Sequence, residues 1–546
     1  MSRRYENWNP RSPVNPRNFE ELRQVIFSNR HFTPTEALSY GNHGLADVLQ
    51  VMSKAIHDGK RIALYADYDV DGTMSCVSWI WFFKAIGYTN YISYIPCRFK
   101  EGYGVNLNAV KHLIEEEGAQ VIITMDTGIT ANEEAAYCRE KGVLFICTDH
   151  HKIQPEKMPD CFILNPKFHP DQAYQELCGC GITFVLLRSL SSQFKVPNSL
   201  WIDLLALAGM ATICDVVPLN SVNHRLAQLG VRAIAQSERK VLKLLRKGAH
   251  EGSRVDEKDV GFRLGPRINA VGRLGHAQDV IDAFIEEDPS ILISSMGRCN
   301  DERKSIQKKI YEEAKARASQ NSSSQIIFEG GDWHPGVVGI AASRVSEEFW
   351  KPSWLFQKGD KLCKGSARSI PGFDVTDAMS AASEYFEKFG GHAAAGGFSF
   401  LPENLERIKE RIESFAREAK SKDPTLWSSR IDYDCELSLD HLTLELLDAM
   451  SDMKPFGHGF EEPKFKIKSQ ILGVRFLNDK ETGDPRHTVV TIKGAAGMAQ
   501  RVLFFNRVET ELSRAKEAAF IVTASRNNYR NQVSLSLEGR DFDLYS

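Results

Sequence analysis

Between Arg61 and Asp160 short apolar runs alternate with helix-compatible stretches: RIALYA precedes MSCVSWIWFFKAIG, NYISYIP precedes NLNAVKHLIEEEG, AQVIITM precedes ANEEAAYCREKG, and VLFIC follows. Strands separated by helices return to pair in parallel, so the alternation commits this region to an α/β fold, a parallel sheet with helices packed on its faces. Such a sheet binds its ligands beyond the carboxyl ends of its strands. The acids collect there. RIALYA runs into Asp67, Asp69 and Asp71, AQVIITM into Asp126, and VLFIC into Thr148, Asp149, His150 and His151.

Carboxylates gathered at one rim repel one another by on the order of several kcal/mol when partly buried, so a cation should neutralise them. Oxygen ligands mixed with imidazole suit Mn²⁺ or Mg²⁺ better than a thiolate site would. Two such ions, about 3.5 to 4 Å apart, can share a bridging carboxylate, deprotonate a water and hold both oxygens of an in-line phosphoryl displacement. For any single Asp the competing reading is a helix cap, as Asp71 could be with Thr73 nearby. Acids at three strand ends together favour metal binding.

The remaining chain surrounds this core with further domains. At 546 residues it exceeds one hydrophobic core and should form two to four domains. Lys and Arg total 68 against 71 Asp and Glu, which excludes a global attraction to a polyanion and leaves any nucleic-acid contact to a local basic groove. The eleven cysteines are odd in number and scattered, and Cys178 and Cys180 lack the spacing of a zinc knuckle, so they read as reduced thiols. The N-terminus has basic residues with no apolar run after them, and Leu204 to Cys214 is too short to span a bilayer, so a soluble, cytoplasmic protein is expected.

Residues 182–320 look mainly helical, and the polar QNSSSQ at 320–325 marks a boundary. A second α/β unit follows, then a charged amphipathic helix. The alternating runs FKIKSQILGVRF, HTVVTIKG, RVLFF, AAFIVTAS and QVSLSLEG then suggest a small barrel of the OB type. The expected division is an N-terminal segment at 1–50, a catalytic domain at 51–240, a helical connecting region at 241–325, a second α/β domain at 326–402, a connecting helix at 403–430 and the barrel at 431–546.

DYDVDG, the MDTGIT aspartate and TDHH resemble motifs of the DHH phosphoesterase superfamily. EGYGVN (101–106), ATICDVVPL (211–219), RLGPRINAVGR (263–273), WHPGVVGIAASR (333–344), GSARSIPGFD (365–374) and FGGHAAAGGF (389–398) narrow the resemblance to its RecJ family, single-strand-specific 5′ to 3′ DNA exonucleases. The likeness runs over roughly residues 20 to 540 and implies a DHH domain, a DHHA1 domain and an OB-like barrel. It implies that Asp69, Asp71, Asp126, His150 and Asp215 hold two Mn²⁺ or Mg²⁺ ions with Asp126 bridging, that Asp149 orients His150, and that His151 contacts the scissile phosphate. Asp67 would hydrogen-bond within the turn.

The resemblance also places Arg98, Tyr103, Arg267, Arg273 and Arg303 along the DNA path, suited to it because the guanidinium fork matches phosphate oxygens. Ser366, Arg368 and His392 resemble the pocket for a terminal 5′ phosphate, where glycines let backbone N–H groups approach an anion. A narrow passage would admit one strand and exclude a duplex. In the barrel, Tyr529 and Arg530 are candidates for stacking and phosphate contact. A single-strand-binding protein and a helicase are implied as partners, and a monomer is expected. One stretch departs from the family pattern: KPFGHGFEEPKF has Phe460 and Glu461 where Asn-Pro is usual.

Two other functions use the same motifs. A phosphoesterase for short oligonucleotides or cyclic dinucleotides would be shorter and lack the GPRINAVGR region and the barrel. A catalytically silent DNA-binding scaffold would have lost metal ligands, and all five stand here.

Overall fold

A computed structural model describes residues 5–35, 44–247, 255–479, 482–494, 497, 499–529 and 532–545. The chain divides into two compact units, one of Arg30–Asp301 with Met453–Glu462, the other of Met1–Asn29, Glu302–Asp452 and Pro463–Ser546.

The first unit holds the parallel sheet. Its five strands lie in the order Tyr91–Tyr94, Ile62–Ala66, Val121–Met125, Leu144–Thr148 and Phe162–Leu164. The strand order reverses between Ile62–Ala66 and Val121–Met125, and such a reversal opens a crevice at the carboxyl edge. Ala66 pairs with Met125, Met125 with Thr148 and Thr148 with Leu164, so neighbouring strands end flush. Asp67, Asp126 and Asp149 are consequently the first residues past three adjacent strand ends.

Alternate side chains serve opposite faces of the sheet. Ile62, Leu64, Val121, Ile123 and Ile146 pack with the helices Leu45–His57, Val70–Ile86, Gly179–Leu190 and Asn198–Cys214. Ala63, Tyr65, Ile122 and Phe145 pack with Leu107–Glu115 and Asn132–Glu140. The first cluster also takes in Leu242, Leu245, Leu264, Ile268, Ile281 and Phe284, all buried. Burying each such side chain contributes roughly 1.5 to 3 kcal/mol, so the expected division at 240/241 would cut a continuous core. The helices between residues 240 and 285 are thus part of this unit's core.

The departing stretch after Asp452 joins the same unit. Phe460 is buried between Phe32 and His224, Arg30 donates to the Glu461 carbonyl, and Lys258 pairs with Glu462 at 2.8 Å.

In the second unit, a mixed sheet has the order Lys388–His392, Ala395–Phe400, Cys363–Arg368, Ser353–Gln357 and Ile327–Gly331. The helix Leu405–Lys422, expected as a connector, buries Ile408, Ile412 and Ala416 among Phe328, Trp354 and Phe400. Its apolar residues repeat every four positions, which aligns them on one face, so the helix completes this domain's core. The N-terminal segment is likewise not one module. Asn7–Pro10 pairs in parallel with Arg430–Tyr433, and Trp8 donates to Asp541, while the chain from Arg30 belongs to the other unit.

The last five strands close a barrel: Phe465–Asn478, Pro485–Lys493, Ala499–Phe504, Gln532–Leu544 and Glu517–Tyr529, the last pairing back to the first. Thr488, Val490, Ile492, Val502, Phe504 and Phe520 are buried. All eleven cysteines are free thiols. Among the described residues no helix is long and apolar enough to cross a membrane.

Candidate metal centre

Three residues of the DYDVDG turn do different work. Asp69 caps the helix Val70–Ile86, its Oδ1 accepting from the Asp71 and Gly72 N–H groups at 2.8 and 3.2 Å. Asp71, for which capping was the competing reading, instead points inward. Its Oδ2 accepts from Gly179 N–H at 2.5 Å and its Oδ1 from Cys180 N–H at 2.7 Å, at the N-terminus of Gly179–Leu190, where free N–H groups and the helix dipole favour a carboxylate. A Cβ on Gly179 would stand 2.8 Å from Asp126 Cβ, so only glycine lets this helix end come so close. The Asp67 carboxylate is hydrogen-bonded to the Tyr68 backbone within the turn, while its Oδ1 is buried and accepts no hydrogen bond.

Asp126 leaves its strand at φ +60°, a left-handed conformation that Asp tolerates better than most residues. Its Oδ1 stands 3.1 Å from His150 Nε2, which is 3.5 Å from Asp215 Oδ2 and 3.8 Å from Asp71 Oδ2. Asp215 follows the last residue of the helix Asn198–Cys214.

The Asp149 carboxylate does not reach the His150 ring, against expectation. Oδ1 accepts from His151 Nδ1 at 2.7 Å and from the His150 and His151 backbone N–H groups, and Oδ2 accepts from Ile129 N–H at 2.9 Å. Being adjacent in sequence, Asp149 can hold His150 only through the backbone, whereas His151 curls back onto the carboxylate. His151 Nε2 meets Tyr103 Oη at 2.8 Å.

Ligand atoms fall into three interlocking triads, Asp67–Asp69–Asp126, Asp71–His150–Asp215 and Asp126–His150–His151, each within 4.8 Å. Burial, followed by the neighbouring carboxylates, drives Asp67, Asp126 and Asp215 well above the usual carboxylate range. Burial and the charge of Asp69 push Asp71 up to about 6 despite its two backbone donors. Burial opposes ionisation of Asp149 too, but the His151 hydrogen bond and charge outweigh it and hold it low. For His151, burial favours the neutral ring, and Asp149 with Asp67 and Asp69 reverses that. Acids forced to keep protons, together with buried oxygens on Asp67 and Asp126 that accept no hydrogen bond, are what a divalent cation would resolve. The donor set of carboxylates and one or two imidazoles fits Mn²⁺ or Mg²⁺.

Around this cluster, Arg98 lies 4.9 Å over the Tyr68 ring, and Tyr103, 58% exposed, reaches His151 from the EGYG loop. The helix Gly265–Leu274 carries Arg267 and Arg273 and is tied to the acidic turn, for Asn269 Oδ1 accepts from Val70 N–H at 3.0 Å. A Cβ on Gly272 would stand 2.7 Å from the Tyr68 carbonyl oxygen. Arg303 lies on the long helix Ser290–Gln320, beside Gln307.

In the other unit, Arg368, Ala395 and His392 share one cross-strand row, as do Ser366, Gly397 and Gly390. Nothing lies near a Cβ built on Gly390 or Gly397, so this face is an open shelf edged by Ser366, Arg368 and His392. Arg368 Nε donates to Ser343 at 3.0 Å. Arg530 lies outside the described residues, and Tyr529 is described only by its backbone, at the end of its strand.

The missed contributors are the N–H groups of Gly179 and Cys180. The signal for the pair was the GCG ahead of an apolar helical run, the composition of an anion-binding helix start.

Comparison with known proteins agrees with this arrangement. Residues 61–210 match the family model for the DHH family N-terminal domain, residues 322–418 that for the DHHA1 domain and residues 433–541 that for the RecJ OB domain. Fold and site therefore define a DHH-class protein with a DHHA1 domain. The single-stranded-DNA-specific exonuclease RecJ of Bacillus subtilis is 32% identical over 91% of this chain, which spans 63% of that relative's length. The protein of the same name from Escherichia coli is 29% identical over 95% of this chain and 92% of its own. The crystal structure of RecJ with Mn²⁺ from Thermus thermophilus superposes with a TM-score of 0.83 at 24% identity, covering 99% of this chain and 80% of the other. A crystal structure of exonuclease RecJ bound to manganese is 29% identical with a TM-score of 0.63, covering 72% of this chain and all of the other. The chain belongs to the RecJ family.

Proposed function

We propose that this protein is a metal-dependent exonuclease that degrades single-stranded DNA from the 5′ end to 5′-mononucleotides. The observation that carries the reading is the set of interlocking triads at the flush carboxyl edge, in which Asp126 belongs to two and His150 to two. Asp67, Asp69 and Asp126 would hold one ion and Asp71, His150 and Asp215 the other, with Asp126 between. When bound, Mn²⁺ or Mg²⁺ lowers the pKa of an attacking water and offsets the charge that develops on the phosphoryl oxygens.

The chain's own residues supply position and protons. Asp149, held ionised, keeps the His151 proton on Nδ1 and leaves Nε2 with Tyr103 facing the scissile phosphate. Arg98, Arg267 and Arg273 contribute a fork of donors to successive phosphates, and Arg303 adds to the path of the strand. Ser366, Arg368 and His392 on their shelf would anchor the terminal 5′ phosphate, and the barrel would grip the strand further. The relatives' names and the barrel support a polynucleotide substrate over a cyclic dinucleotide. The complete ligand set argues against a silent scaffold. A monomeric, cytoplasmic enzyme that meets a single-strand-binding protein and a helicase at its substrate fits the same reading.

Oligonucleotides labelled at either end, with Mn²⁺ or Mg²⁺ present, test it. Mononucleotide should appear at once from a 5′-labelled strand and last from a 3′-labelled one. Cleavage confined to two- to five-nucleotide RNAs or cyclic dinucleotides would refute it.

A further inference from the structure

Phe262 has 79% of its surface exposed, although it sits in a segment with a well-buried frame. It is the middle residue of a single π-helical turn, Val260–Leu264, whose terminal residues are both fully buried. The turn is pinned at both ends, and its wide winding aims the intervening side chain outward. Such turns recur at functional sites because the added residue redirects a side chain.

The turn lies against the end of the helix that delivers Asp215. Cys214 Sγ approaches the Val260 carbonyl oxygen at 3.8 Å, and a Cβ on Gly261 would stand 3.6 Å from Ile213 Cγ2. On the far side of Asp215, Val216 is 61% exposed and held at φ +59°, a conformation foreign to a β-branched residue. One exposed apolar side chain, Val216, thus adjoins a residue of the ligand cluster, and another, Phe262, projects from the turn packed on the end of that residue's helix. Next to Phe262 comes Arg263, paired with Asp259 at 3.1 Å, and Arg267 and Arg273 follow on the continuing helix. An aromatic face among arginines at a phosphodiester site suits a nucleobase whose backbone is a polyanion, since each base offers a π-face whatever its identity.

Accordingly, we propose that Phe262 is a base-stacking residue that holds an unpaired nucleotide of the strand beside the metal centre, with Val216 as adjoining apolar surface. The inference rests on the nuclease reading above and deepens it. Stacking of this kind ignores sequence but requires a base freed from its partner, so it adds to the selection of single strands.

The test compares wild type with Phe262→Ala, Phe262→Trp and Phe262→Leu on 5′-phosphorylated oligothymidylate and on strands carrying one abasic nucleotide at successive positions. Phe262→Ala should raise KM on oligothymidylate by about tenfold or more, the range of a lost base stack, with a much smaller fall in kcat. Wild type should show the same rise at one abasic position, and Phe262→Ala should be indifferent to it. Tryptophan should restore most of the loss and leucine little. Mn²⁺ titration calorimetry on Phe262→Ala should match wild type, which verifies an intact fold and cluster. A wild-type KM in Phe262→Ala, an undiminished penalty at every abasic position, or full rescue by leucine would overturn the assignment. Fluorescence anisotropy of the same strands in chelator separates the two readings. Discrimination of base from abasic nucleotide without any cleavage would remove the nuclease and keep the stack. Cleavage without discrimination would remove the stack alone.

Discussion

Replacing Asp126 with Asn should raise the stability of the metal-free protein while destroying its activity. The carboxylate oxygens of Asp67, Asp69 and Asp126 lie within 4.8 Å of one another, and two unit charges at that spacing repel by about 3 kcal/mol at an effective dielectric constant of about 20. The cluster evades part of this by retaining protons, so removal of one charge returns about 1 to 3 kcal/mol. Asparagine accepts the φ of +60° as aspartate does, and it fills the same volume. In chelator the melting temperature should therefore rise, by about 2 to 12 °C at the usual 2 to 4 °C per kcal/mol for a unit of this size. Mn²⁺ reverses the order. An ion at a hundred times its dissociation constant stabilises wild type by about 2.7 kcal/mol, and the variant, without the shared carboxylate, loses most of that gain. Differential scanning fluorimetry with and without Mn²⁺, alongside cleavage of a labelled strand, reads all three quantities. A variant that melts lower than wild type in chelator, or that keeps the full Mn²⁺ shift, would refute the account of Asp126 as an electrostatic burden relieved by a shared cation.

The same electrostatics give a pH dependence. Asp71, raised to about 6 by burial and Asp69, binds its proton more tightly folded than unfolded, so in chelator stability should fall as pH rises from about 4 to about 6, as melts across that range would show. Gly179→Ala should cost about 1 to 3 kcal/mol in denaturant melts and abolish cleavage, because the new methyl group drives into Asp126 Cβ. Glu101 buckles the loop that carries Arg98 and Tyr103, its two oxygens accepting from Tyr94 Oη and Cys97 N–H, each at 2.6 Å. Glu101→Ala should raise KM about tenfold and combine less than additively with Tyr103→Phe, while Glu101→Gln, able to accept only one of the two bonds, should fall between. Arg368→Ala should erase any preference for a 5′-phosphorylated over a 5′-hydroxyl strand, measured as a ratio of kcat/KM.

Strand periodicity was enough to locate the sheet and the acids and histidines of its edge, because a strand's apolar run and its first polar successor are neighbours along the chain, whereas Asp215, which follows a helix, came only from the family resemblance. The motifs placed the second α/β unit and the barrel for the same reason. Legibility failed where a residue's partner lies far away in sequence. Asp69 and Asp71 are chemically alike and two apart, and only the approach of Gly179 and Cys180 makes one a cap and the other a buried acid. Asp149 was assigned to the wrong histidine because spacing cannot say which ring folds back onto the carboxylate. The helices between residues 240 and 285 and the helix Leu405–Lys422 look like connectors by charge and position, yet each lays its apolar face in a core built mostly from distant residues.

Amino-acid order alone therefore determined that acids and a histidine would crowd the carboxyl edge of a parallel sheet, since that follows from local periodicity. Which oxygen faces a backbone donor, which stays bare for a cation, and where Phe262 points were decided by tertiary packing, because those outcomes depend on elements brought together from distant parts of the chain.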